Sequence, residues 1–212
     1  MYRLYNIYTD TKENTTITKS IKELVKDEIN IDKLKEKNKD TVGYLVVNNI
    51  DIDYVVVKAK DNDYYLKHNF NKKYSSAGWV FADYRDNFDG NDKNIIIYGH
   101  NMLNGSMFGT LKKILTKEWY TNKENHIIKF ITEEGTNYYE VFSVYNIKKE
   151  DYYIRTDFKN NTAYKNFIKT IKKRSIYKFN VDTDNTDQIL TLSTCSNNGK
   201  NRVVLHAKRI SQ

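Results

Sequence analysis

One cysteine, four histidines and an arginine that opens the last apolar run could carry nucleophilic chemistry in this 212-residue chain. Cys195 ends the run Ile189-Leu-Thr-Leu-Ser-Thr-Cys195. An extended run alternates its faces, so Thr191, Ser193 and Cys195 share one side, and Leu190, Leu192 and Thr194 the other. The thiol stands where a strand stops and the polar turn Ser196-Asn-Asn-Gly199 begins. Scaffolds hold reactive groups open to substrate at such edges. Taken alone, the residue reads more simply as an inert half-buried thiol.

Its candidate partners are His68, His100, His126 and His206. His100 follows Ile95-Ile-Ile-Tyr-Gly99, just past a buried run, where Gly99 lets the backbone turn. His206 lies within Val203-Val-Leu-His-Ala207, where a satisfied structural role is the simpler reading. His68 and His126 flank polar stretches and read as surface residues. Arg202 opens the final run, across a short turn from Cys195. A hairpin there brings guanidinium and thiol together. Such a cation favours thiolate and stabilises a developing oxyanion. The order His, Cys, Arg disfavours a papain-like arrangement, in which Cys precedes His. Neither a caspase Gln-Ala-Cys nor a Gly-x-Cys-Gly surrounds Cys195. One Cys and scattered His offer no zinc spacing, and neither metal nor organic cofactor is implied.

The elements that must position these groups follow from periodicity. Residues 1–40 read as a polar helical appendage, with Ser20-Ile-Lys-Glu23 as a capping box and Ile21, Leu24 and Val25 as its stripe. From residue 41 to 212 the period becomes that of strands. Runs at Val42–Val47 and Ile52–Val57 are separated by Asn48-Asn49. Further runs lie at Trp79–Ala82, Asn94–Tyr98, Ile127–Ile131, Tyr138–Tyr145, Gln188–Thr194 and Arg202–Ile210, with a hairpin expected across Glu133–Asn137. Eight such strands can close a small barrel. Met107, Phe108, Leu111, Ile114 and Leu115 recur at helical spacing. So do Tyr164, Phe167, Ile168 and Ile171, with Thr162 as N-cap over 162–173. Both stripes read as core packing.

Three segments resemble one family. Thr191-Leu-Ser-Thr-Cys195 resembles the Thr-Leu-x-Thr-Cys signature of sortases. Arg202-Val-Val-Leu-His-Ala-Lys208 is similar to the following sortase strand, and Tyr98-Gly-His-Asn101 to the motif of the sortase histidine. The segments Asp61–Asn69, Ala77-Gly78 and Phe81-Ala-Asp-Tyr-Arg85, with the N-terminal helices and the helix at 162–173, resemble class B members. The resemblance runs from about residue 40 to the end. It implies a mainly β fold: an eight-stranded sortase-type barrel with N-terminal helices and a helix between strands six and seven.

It also implies a cysteine transpeptidase with Cys195 as nucleophile, His100 as general acid and then base, and Arg202 holding the substrate carbonyl. Asn62, Leu66, Tyr98, Ser193 and Thr194 would line the groove for the sorting-signal peptide, with Tyr153 and Ile154 from the loop before the helix. Arg209, seven residues along an extended strand, faces away from Arg202. The turn after Cys195 is short for class B, and Ser196 stands where some relatives carry an acid. The implied partners are a surface protein's C-terminal sorting signal and an amino group of peptidoglycan. The implied place is the outer face of the cell membrane, reached through an N-terminal anchor outside this sequence. A hydrolase using the same acyl-enzyme, and a non-catalytic barrel binding anionic wall polymer, remain alternatives.

Composition agrees with a folded chain. Hydrophobic residues make up 39% and aromatics 14%, enough for a core. There is no proline, so turns rely on Asn, Asp and Gly. The net charge of +8 comes from lysines spread along the sequence, and no nucleic-acid motif frames them. It reads as a mostly solvated surface with mild attraction to an anionic envelope and no nucleic-acid partner. The first residues, Met1 to Tyr8, hold no apolar run long enough for a signal peptide or membrane span.

Overall fold

The computed structural model describes residues 2–26, 28–195 and 200–210. The expected turn at 196–199 and the side chain of Cys195 lie outside the described residues. Eight strands, β1 (Thr41–Val47), β2 (Ile52–Val57), β3 (Phe81–Ala82), β4 (Asn94–His100), β5 (Ile127–Thr132), β6 (Gly135–Lys148), β7 (Ile189–Cys195) and β8 (Asn201–Ile210), close a barrel. Their order is β1-β2-β3-β4-β7-β8-β6-β5. Around them lie α1 (Tyr2–Leu24), α2 (Ile31–Lys37), α3 (Lys117–Thr121) and α4 (Asn161–Lys173). The fold is therefore mainly β with appended helices.

Two pairings are parallel, β2 with β3 and β4 with β7; the other neighbours are antiparallel. The β4–β7 ladder is the longer, running from Asn94 opposite Ile189 to His100 opposite Cys195. Parallel strands are covered on both faces and so read as continuous apolar runs. Ile95, Ile96, Ile97, Ile189, Leu190 and Leu192 are all buried accordingly.

Several local expectations are corrected. Ser20 does not open a helix. It lies in the last turn of α1, where its hydroxyl donates back to the Ile17 carbonyl (2.8 Å). The buried face of α1 is Asn14, Ile17 and Ile21, whereas Leu24 is exposed. Trp79 and Val80 precede β3, which is only two residues long. The β5–β6 connection is tighter than expected. Glu133 and Glu134 alone turn, Gly135 takes φ 118°, and Thr136 and Asn137 already pair with β5. Met107 to Leu115 form no α-helix. Met107 sits at φ 54° in a bridge to Asn101, and only Leu111–Leu115 coils, as a 3-10 turn. Its helical spacing reflected burial of Met107, Phe108, Leu111 and Ile114. The cap of α4 is Asn160, whose side chain accepts the Ala163 N–H (2.9 Å), rather than Thr162.

Gly99 has a different role from the one expected. It lies inside β4 and makes no turn. A Cβ there would stand 2.6 Å from the Phe108 ring, so its lack of a side chain lets that ring close over the strand beside His100.

The segment between β6 and β7 covers one face of the parallel pair. Asn94 Nδ2 donates to the carbonyls of Tyr153 (3.3 Å) and Arg155 (2.8 Å). Its Oδ1 accepts the Thr191 hydroxyl (2.6 Å). Behind Thr191 lies His206, fully buried, with Nδ1 2.8 Å from the Thr191 hydroxyl oxygen and Nε2 2.8 Å from that of Tyr145. Thr191 has given its proton to Asn94, so Nδ1–H donates to Thr191 and Nε2 accepts from Tyr145. This is the satisfied structural role expected for His206. Burial, with the Arg174 charge second, pushes its pKa down to about 3.

The unfolded chain binds this proton below about 6.5 and the folded chain does not, so the contribution to stability is full above 6.5 and lost on acidification. Stability should fall by roughly 1.4 kcal/mol per pH unit below about 6.5 through this residue. Thermal melts across that range should show His206→Gln starting lower at neutral pH but declining less steeply than the native chain.

Candidate active site

The sequence places His100, Cys195 and Arg202 at strand ends, and the barrel brings those ends to one edge. His100 is the last residue of β4 and Cys195 the last of β7. They are direct partners in the parallel ladder, so their α-carbons lie about 4.8 Å apart, the usual strand spacing. Arg202 is the second residue of β8, which runs antiparallel to β7 and pairs Ser193 with Val204. Counted on in that register, Cys195 stands opposite Arg202. At the same edge the Val203 N–H donates to the Thr194 hydroxyl (3.1 Å).

His100 is half-buried and oriented by one contact. Its Nε2–H donates to the Leu66 carbonyl (2.8 Å). A carbonyl only accepts, so Nε2 keeps a proton and Nδ1 is left to take or release another. The accepting carbonyl is itself held. Leu66 closes the 3-10 turn Tyr64–Leu66, and the N–H groups of Asp63 and Tyr64 at its start donate to Asp61 Oδ1. The Tyr65 carbonyl accepts the Trp79 N–H (2.9 Å). Gly78 packs so closely there that a Cβ would stand 2.4 Å from that oxygen.

A groove of about 200 Å³ opens beside this edge. Asn62, Leu66 and Phe81 line one side, Tyr153 and Ile154 the other, with Tyr98 and Arg202 between them. Six of the sequence-predicted residues therefore line one cavity. Ser193 and Thr194 do not. Both are almost wholly buried, Ser193 hydrogen-bonded to the Tyr153 hydroxyl (3.0 Å) and Thr194 to β8. Ser193 thus touches the groove through Tyr153. The acidic and basic rim of Asp63, Lys149, Glu150 and Asp151 was not anticipated from sequence.

Asp83 and Arg85, quoted only as part of a family-like segment, form the support of the groove. Asp83 is fully buried, yet its carboxylate receives Arg85 Nε (2.7 Å), Arg85 Nη2 (2.7 Å), Asn62 Nδ2 (3.0 Å) and the Tyr98 hydroxyl (2.8 Å). The same Nη2 donates to the Ile154 carbonyl (2.9 Å). One ion pair therefore ties together both sides of the groove and Tyr98. Burial pushes the Asp83 pKa up, but Arg85, its backbone N–H and Tyr98 more than offset this, and the carboxyl lies below its ordinary value. Burial and then the Asp83 charge drive the Tyr98 phenol the other way, so it stays protonated as a donor. The signal was present in the sequence as an acid and a base two residues apart, but their common target was not.

The remaining histidines stay apart from this edge. His68 is half-buried, stacked on Tyr64 with its Nδ1–H donating to the Tyr64 carbonyl (2.7 Å). His126 is likewise half-buried among Trp119, Tyr120 and Phe179, and burial lowers its pKa. Neither is the surface residue expected, because the His68 ring packs on Tyr64 nearby in sequence and the His126 ring on Trp119, Tyr120 and the distant Phe179. Among the described residues no group of three or more His, Cys, Asp or Glu could hold a metal ion. Among them, too, no helix is long and apolar enough to cross a membrane.

Known proteins resemble this chain in both sequence and fold. The sortase domain family model matches residues 45–210. Sortase B of Listeria monocytogenes is 37% identical over 211 residues, covering 97% of this chain and 82% of that protein. The crystal structure of sortase B from Bacillus anthracis in complex with AAEK1 superposes with a TM-score of 0.89 at 33% identity, covering 97% of this chain and all of that one. A Staphylococcus aureus sortase B–substrate complex superposes with a TM-score of 0.82 at 29% identity, covering 99% of this chain and 96% of that one. The family match over most of the barrel, joined to class B relatives along nearly the whole length, shows that the chain belongs to the sortase family as a class B cysteine transpeptidase.

Proposed function

We propose that Cys195, His100 and Arg202 carry the reaction, on the outer face of the cell membrane. The substrate is a surface protein's C-terminal sorting signal, bound in the groove that Asn62, Leu66, Tyr98, Tyr153 and Ile154 line. The Cys195 thiolate attacks the carbonyl carbon of a Thr in that signal. Arg202 donates to the carbonyl oxygen as it becomes an oxyanion. On collapse the C–N bond breaks, and His100 gives a proton to the leaving amine. The acyl group remains as a thioester on Cys195. An amino group of peptidoglycan then attacks the thioester, His100 takes its proton, and the thiolate departs as the new amide forms. Residues 1–40 serve as a helical appendage to the catalytic barrel at 41–212.

The observation that most supports this reading is the ladder pairing of His100 with Cys195 beside a groove that Arg202 also lines. The hydrogen bond from His100 Nε2–H to Leu66 supports Nδ1 as the atom that moves the proton. The Staphylococcus aureus relative was solved as a substrate complex, and it superposes along 99% of this chain. A chain of this fold that only bound wall polymer would have no need of an oriented imidazole on the strand paired with Cys195.

Cleavage of a quenched sorting-signal peptide tests the assignment. Cys195→Ala should abolish cleavage and any acyl-enzyme seen by mass spectrometry. Arg202→Lys keeps the charge but loses the planar fork, and should lower kcat by about 100-fold or more. Added amine should divert product from acid to amide; product that stays acid at saturating amine would establish a hydrolase instead.

Asp83→Asn tests the support beneath the groove. It leaves Arg85 without its partner charge, and should cost about 3 kcal/mol of stability. Because Asn62, Tyr98 and Ile154 then lose their common anchor, peptide KM should rise more than kcat falls. A thermal melt and peptide kinetics on the folded variant measure the two effects.

A further inference from the structure

Lysines occur all along this sequence, but the acids that balance them do not. Residues 159–180 hold Lys159, Lys165, Lys169, Lys172, Lys173, Arg174 and Lys178, and no Asp or Glu. That segment carries seven of the chain's eight net positive charges, so the remainder is close to neutral. Most of it is α4, whose Tyr164, Phe167, Ile168 and Ile171 are buried against the barrel. Two of the seven cations are used internally. Lys172 Nζ donates to the Val181 carbonyl (2.6 Å), and Arg174 pairs with Glu150 while packing on Tyr145 and Tyr152.

The other five, Lys159, Lys165, Lys169, Lys173 and Lys178, are exposed, and none makes an ion pair among the described residues. Lys165, Lys169 and Lys173 recur every four residues and so form one stripe on the outer face of α4. Like charges at this spacing destabilise a helix, and solvated helix faces ordinarily mix both signs. Ile176, 53% exposed, lies between Lys173 and Lys178, where it gains nothing from water.

We propose that the outer face of α4, with Lys159 before it and Ile176 and Lys178 after it, docks on an anionic phospholipid surface. Lysines near such a surface are drawn to its headgroups, and a single apolar side chain among them can enter the acyl boundary. A soluble polyanion would satisfy the lysines but offer Ile176 no apolar phase. None of these five lysines, nor Ile176, is among the residues that line the groove. The proposal stands without the catalytic assignment, because it uses none of those residues.

Co-sedimentation with phosphatidylcholine vesicles, with and without phosphatidylglycerol, tests it. The native protein should bind the mixed vesicles, release them as salt is raised, and ignore phosphatidylcholine alone. Replacing Lys165, Lys169 and Lys173 together by Glu should weaken binding at least about tenfold, since three of five headgroup contacts reverse sign. Peptide cleavage in solution and the thermal melt should not change. A control with Lys33, Lys37 and Lys39 replaced by Glu alters net charge equally on α2 and beyond it, and should keep most of the binding. Ile176→Ser should weaken vesicle binding while leaving binding to soluble poly(glycerol phosphate) unchanged. The proposal is overturned if the native protein does not bind mixed vesicles, if the control loses as much as the α4 variant, or if Ile176→Ser binds vesicles as the native protein does.

Discussion

The parallel ladder between β4 and β7 is the constraint on which the rest of the structure depends. Antiparallel neighbours end at opposite edges of a sheet, whereas parallel neighbours end together. His100 and Cys195 meet because both terminate strands that run the same way in register. The chain must then return to the starting edge between them, and it uses β5, β6 and α4 to do so. That return path is also what covers the ladder. The Tyr153 and Arg155 carbonyls accept from Asn94, and Tyr153 reaches Ser193, so the segment that closes the core over β4 and β7 also forms one side of the groove. Packing and site geometry are consequences of one topological choice.

A groove built from five separate segments needs something to hold its sides at a fixed separation. Here a buried carboxylate does this. An unpaired charge at the depth of Asp83 would be prohibitive, and an ion pair that is merely close seldom repays desolvation. Asp83 is retained because its bonds are complete: a guanidinium in two-pronged contact, an amide and a phenol. Each of these donors belongs to, or touches, a different part of the groove. The ion pair is thus better understood as fixing geometry than as a source of net stability. The nearby Asp86 makes the contrast clear. It is equally buried but receives only the Ile96 N–H, its other oxygen lacks a partner, and burial pushes its pKa up to about 8.

Charge is divided in the same way between inside and outside. Arg174 turns inward to Glu150 and the tyrosines that flank the groove segment, while the lysine stripe of α4 faces out. Lys173, the last residue of α4, and its cap Arg174 therefore face different surroundings, and the sign balance of the whole protein rests on a segment of about a tenth of its length.

The sequence alone determined the strands, the residue types at their ends and the family to which they point. These are local properties. Period-two runs bounded by Asn, Asp and Gly mark strands whatever they pair with, and Thr191 to Cys195 is recognisable without knowing its neighbours. It also gave enough to collect Asn62, Leu66, Tyr98, Tyr153 and Ile154 as groove residues, through resemblance rather than through spacing. Tertiary structure decided what depends on partners distant in the chain. Gly99 looked like a turn and proved to be room for Phe108; Met107 to Leu115 had helical spacing because several of its residues are buried, not because they coil. His126 looked solvated until Phe179 closed over it. The role of Asp83 was invisible because its partners at 62, 85 and 98, and the Ile154 carbonyl that Arg85 reaches, come together only when the barrel closes. A carboxylate's meaning lies in the donors around it, and sequence order does not record them.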